Sequence, residues 1–97
     1  MNNIVIVNQS GQRYLFSVPD GVELKQGENV KCGTKRGITD GVCWCDSLVT
    51  DDKTVKAIGN LLGAKFPLKG VVGRKVEDVA WFNTPKEAKP EPIKLIS

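Results

Sequence analysis

Histidine is absent from this 97-residue chain, and the commonest general base and the commonest metal ligand are absent with it. Cysteine is scarce and odd in number, at Cys32, Cys43 and Cys45. With no export signal in view, that count reads as reduced thiols rather than a disulfide framework. Long apolar runs are missing too: the longest, 4–7 and 79–82, fall far short of the roughly 20 residues that cross a bilayer. No membrane span is expected. The polar stretch 8–12 follows only four apolar residues, which leaves no room for the apolar core of about 7 to 15 residues in a secretory signal. The expected location is cytoplasmic.

These absences bear on chemistry. The segment 37–41 lacks the glycine-rich run, the lysine and the strand-to-helix setting of a phosphate loop. The carboxylates of Asp40, Asp46, Asp51 and Asp52 remain, but Asp51 and Asp52 read as helix-capping residues and Asp40 as a turn residue. Cys43 and Cys45 lie two apart on an expected strand and so share a face. Structural zinc takes four ligands, and only Asp46 or a second protomer is left to complete such a shell. The chain is therefore read as non-enzymatic, with no catalytic residue, no metal site and no cofactor.

What is present suits one globular domain. Apolar residues make up 40% and charged residues 26%, the balance of a chain that can bury a core. At this length one core is the limit. Net charge is +3, from five basic and five acidic residues up to Thr50 and nine basic and six acidic after it. The sequence pI of about 8.8 stops short of the value above about 9 that marks a nucleic-acid footprint.

The expected order begins with a strand at 4–7, a turn at Ser10-Gly11, and a return strand whose Tyr14, Phe16 and Val18 face inward. Pro19-Asp20-Gly21 ends that strand, and Leu24 is placed as a plug at one end of the core. A third strand from Glu28 sets Val30, Cys32 and Thr34 on one face. A tight hairpin at Thr34-Lys35-Arg36-Gly37 then leads to one long strand over 38–49, kinked at Gly41. Val55, Ile58, Leu61 and Leu62 recur at helical spacing behind Thr50 or Asp51, which predicts a helix at about 51–62. Gly63 suits its left-handed C-terminus, Phe66 folds back on the last turn, and Pro67 blocks continuation. Closing strands are expected at 68–76 and 78–82. The fold class is thus mainly β with one helix (α+β), a small, strongly bent five- to six-stranded β-barrel of SH3-like or OB-like type. The domain is expected to span 1–83, with an extended Pro/Lys/Glu-rich tail over 84–97.

Tyr14-Leu15-Phe16, then Leu24-x-x-Gly27-x-x-Val30, Thr34-x-x-Gly37 and Gly41-Val42, resemble in outline small barrel modules such as the primosomal helicase N-terminal domain. The resemblance implies architecture alone. Of the cysteines, Cys32 is expected in the core beside Val30. Cys43 and Cys45 are expected on the outer side, because Val42 and Trp44 compete for the core face. Lys35, Arg36, Trp44, Lys69, Arg74 and Lys75 are the candidate nucleic-acid contacts, combining basic side chains with a stacking platform. Ile93, Leu95 and Ile96 in the tail are candidates for adding to a sheet edge.

The expected function is that of a binding module for a macromolecule, with a protein partner placed ahead of nucleic acid. Single-strand binding through the basic hairpin and aromatic residues is the alternative. A structural or assembly role, with homo-oligomers formed through a strand edge or the tail, is the third reading.

Overall fold

The computed structural model describes residues 1–75 and 79–82. Within them the elements follow as β1 (Asn2–Gln9), β2 (Gln12–Ser17), β3 (Asn29–Thr34), β4 (Gly37–Cys43), β5 (Leu48–Thr50), α1 (Asp52–Leu62), β6 (Val71–Lys75) and β7 (Val79–Trp81). Among the described residues the protein is mainly β with one helix. The tail at 84–97, with Ile93, Leu95 and Ile96, lies outside the described residues.

The unbroken apolar run of β1 is explained by burial on both faces. Val5 and Val7 point into the main core with Phe16, Val18, Leu24, Val30, Cys32, Cys43 and Val71. Ile4 points the other way, into a second cluster with Leu15 and Val55, against which Ile6, Ile58 and Leu62 pack. A strand covered on both sides has no use for polar alternation. Leu24 is fully buried in the main core, as expected. Asn3 anchors the turn after β2 by donating from Nδ2 to Pro19 O at 3.1 Å and Val22 O at 2.8 Å.

The expected closed barrel is not what the ladders form. They run as an open path β2-β1-β4-β3-β6-β7, with β5 also paired to β1. The sheet curls until Ser17 forms a single bridge with Gly70, and Ser17 N–H donates to Lys69 O at 2.9 Å. There β2 ends just as β6 begins, so their overlap is too short for a closing ladder among the described residues.

Two further expectations need correction. The single long strand over 38–49 is broken into β4 and β5. Both lie antiparallel to β1, with Val7 opposite Cys43 and Ile4 opposite Leu48. The pairing sum rises by two between them, so two residues loop out of the ladder. The loop is fastened to the 24–28 segment: Ser47 N–H donates to Leu24 O, Gln26 N–H to Asp46 Oδ1, and Gly27 N–H to Cys43 O. Tyr14 is the second correction. It keeps the inward register opposite Val7 but stays exposed, because β2 ends the strand path and its ring projects at the rim.

The helix forms as its caps dictate. Asp51 Oδ1 accepts from Thr54 N–H at 2.9 Å, and this bond holds the Asp51 carboxyl below its ordinary range. Gly63 ends the helix at φ 70°, in the left-handed region. Val55, Gly59 and Leu62 form the seam on the sheet, while Leu61 stands off it and is 86% exposed. Phe66 does fold back: a methyl group on Gly59 would sit 2.5 Å from its Cζ. That atom is the far end of an exposed, rotatable ring, and alanine in a helix interior gains about 1 kcal/mol over glycine. Gly59→Ala is therefore expected to change stability by less than about 1 kcal/mol, measured by thermal melting.

Candidate functional site

The inner positions of β4 (Thr39, Gly41, Cys43) are buried or half-buried, as the inner face of a sheet should be. Its outer positions are not polar in return. Ile38 and Val42 are exposed, and Trp44, the next outward position after β4, is 48% exposed. A strand with one solvated face ordinarily turns polar residues outward, so this stripe is the unusual feature of the surface. Only Asp40 interrupts it, paired with Lys31. That bond and the Lys31 charge hold the Asp40 carboxyl below its ordinary range.

Residues directly opposite in a ladder share a face. Asn8 stands opposite both Arg13 and Val42, Val42 opposite Asn29, and Asn29 opposite Lys75. The outer face therefore carries the row Arg13, Asn8, Val42, Asn29 and Lys75. The next row runs Asp40, Lys31, Gly73 and Trp81, and Trp81 is half exposed. At the other end of the stripe, Trp44 N–H donates to Ile6 O at 2.8 Å. The Arg13 guanidinium lies over the Trp44 ring, 5.0 Å from its centre. The helix covers this outer face only near Ile4 and Leu15, which leaves the stripe uncovered by it.

The six residues chosen from sequence do not form one patch. Lys35 and Arg36 occupy the two-residue tip between Thr34 and Gly37. Trp44 lies at the far end of β4, about 26 Å from Arg36 at strand rise. Lys69 is at the Ser17 bridge. Arg74 stands opposite inward-facing Val30; it bonds Glu23 O, lies 3.5 Å from Glu28 and sits over Phe82. Its guanidinium thus closes one end of the core. Lys75 does share the outer face with Trp44. Lys31 and Trp81, a basic and an aromatic residue that the sequence also offers for such a surface, belong to the same face. Arg13 belongs to it as well and was missed, because face membership across the sheet depends on ladder register.

The thiols also differ from expectation. Cys43 is buried with Cys32 in the main core, Cys45 is half-buried, and Val42 and Trp44 take the outer side. Burial, with Cys43 and Asp40 nearby, pushes the Cys32 thiol from its ordinary 9.0 to about 12. Burial, then Glu28 and Cys45, raises Cys43 to about 11. Neither is a nucleophile near neutral pH.

Elsewhere, an open groove of about 350 Å³ runs between the start of α1 and β1, with Ile4, Val18, Val55, Phe66 and Pro67 in its walls. Among the described residues, no three His, Cys, Asp or Glu side chains converge as metal ligands, and no helix is long and apolar enough to cross a membrane. No protein-family model matches the chain, and no curated protein or solved structure matches it.

Proposed function

We propose that this protein is a non-enzymatic binding module that docks a protein partner on the outer face of its sheet, with Trp44 as the anchor. The observation that carries this reading is the exposed stripe Ile38, Val42 and Trp44 on a strand whose inner side already serves the core. Exposed apolar surface set among polar neighbours marks an interaction site, and tryptophan and arginine are the residues most often decisive in one. The curl that brings Ser17 to Gly70 supports kinship with small SH3-like or OB-like modules, which bind on such faces.

The test uses peptides selected from a random displayed library on the immobilised full chain, with affinities then measured by fluorescence polarisation. Trp44→Ala is expected to weaken the selected peptides at least about tenfold. Its melting temperature should be nearly unchanged, because the side chain is half exposed. Equal binding by the wild type and by Trp44→Ala would overturn the reading.

Single-strand binding is a second proposal, favoured by one observation: Trp81, Lys31 and Lys75 occupy the same face as Trp44. The placement of Lys69 and Arg74 on other surfaces, and the distance of Lys35 and Arg36 from Trp44 along β4, weigh against it, since a strand-binding groove needs a continuous basic track. Salt-sensitive binding of an oligothymidylate, abolished by Trp44→Ala, would promote it over the protein reading.

A further inference from the structure

The apolar stripe has a definite length and a definite electrostatic setting. From Ile38 to Trp44 is six residues along extended chain, about 20 Å at strand rise, the span of a short extended segment. Basic side chains stand at both ends and at the middle. Arg13 lies over Trp44, Lys35 and Arg36 cap the hairpin beyond Ile38, and Lys75 shares the row of Val42. The single carboxylate on the stripe, Asp40, is already held by Lys31. Exposed Asn8 and Asn29 flank Val42 and add neutral amide donors.

Resting on the docking reading above, we infer that the occupant of this face is an acidic peptide segment in extended conformation, with aliphatic or aromatic anchors spaced between carboxylates. Charge complementarity selects the sign, since among the described residues every unpaired charge along the stripe is positive. The anchors select peptide over nucleic acid: Ile38 and Val42 are aliphatic and offer no face for base stacking, which single strands require at successive positions. Arg13 is the hinge of the arrangement. Its guanidinium now covers the Trp44 ring, and a carboxylate from the partner would draw it aside and open the indole to an apolar anchor.

The experiment uses the full chain and two synthetic pools of short labelled peptides, read by fluorescence polarisation. One pool alternates Asp or Glu with Leu, Ile or Phe; the other carries Asn or Gln in place of each carboxylate. The acidic pool is expected to bind at least about tenfold more tightly, and to weaken several-fold between about 50 and 300 mM salt. Arg13→Glu should weaken the acidic pool about tenfold without weakening the amide pool, since the indole loses its cover as well as the charge. Lys69→Glu, on another surface, should weaken neither. Equal binding of both pools, each lost in Trp44→Ala, would overturn the charge inference and leave the docking face standing. Binding of either pool that ignores Trp44→Ala would overturn the docking face itself. Failure of both pools alongside salt-sensitive oligothymidylate binding would replace the peptide with nucleic acid.

Discussion

Gly41→Ala is expected to destabilise the fold by about 2 to 3 kcal/mol, the upper part of the range for overpacking a well-filled core. A methyl group there would lie 2.3 Å from Val7 Cγ1, 3.0 Å from Gln9 Cγ and 3.4 Å from Asn8 O. Val7 is fully buried, and β1 is held on both flanks by β2 and β4, so neither side chain nor strand has room to yield. The cause is close approach of side chains. It is a different matter from the positive φ of Gly37 or Gly63, where only the backbone is at stake. In a domain of this size the loss corresponds to a fall in melting temperature of about 10 to 20 °C. The decisive measurement is a four-protein cycle by urea unfolding with Val7→Ala, which by itself should cost about 2 kcal/mol through the cavity it leaves. The double variant should cost at least about 1 kcal/mol less than the sum, because the truncated Val7 vacates the space the new methyl enters. Additive losses would show that Gly41 is required for some other reason.

Stability is also expected to fall steeply on the alkaline side. The thiols of Cys32 and Cys43 are pushed up to about 12 and about 11 by burial, whereas in the unfolded chain they ionise near 9.0. A group whose folded-state value is raised gives its full contribution below the unfolded value and loses it as pH climbs toward the folded one. The window therefore opens near pH 9 and extends to about pH 11 for Cys43 and about 12 for Cys32. One full unit of differential ionisation is worth about 1.4 kcal/mol per group. Because the unfolded thiols are only half ionised at pH 9, the two together should remove about 2 kcal/mol between pH 9 and pH 10. Urea unfolding at stepped pH checks the slope, and a Cys32→Ala, Cys43→Ala double variant should flatten it. Thiol titration provides a second check: at neutral pH the folded protein should expose Cys45 to reagent, with all three cysteines reacting after denaturation. Rapid labelling of Cys43 in the folded state would place that thiol outside the core.

The same residues show where a linear reading reaches its limit. Cys43 and Trp44 are neighbours on a strand, so one must face in and the other out, and their apolar characters are too close to decide which. The decision came from across the ladder. Val7 is opposite Cys43 and belongs to the core, so Cys43 follows it inward and Trp44 goes out. Arg74 posed the converse problem: nothing in its neighbours marks a cation that stands opposite inward-facing Val30 and meets Glu28 from a distant strand. Arg13 and Trp44 are 31 positions apart and meet only because β1 lies between their strands. Gly41 carried the expectation of a kink, and its actual role, making room for Val7, depends on a strand more than 30 residues away.

Local signals were sufficient wherever the controlling interaction is local. The helix start at Asp51, its end at Gly63, the return of Phe66, the turns at Ser10-Gly11 and Lys35-Arg36, and the burial of Leu24 and Cys32 all agree with the chain's own pattern. Capping hydrogen bonds, positive φ and period-two burial act within a few residues, and composition carries them. Tertiary structure alone decided the open path of the sheet, the break between β4 and β5, the inward Cys43, and the gathering of Arg13, Val42, Trp44 and Lys75 on one outer face. Each of these is set by strand register, which is a relation between segments far apart in the chain, and a shift of a single residue in it would exchange the core face for the outer face.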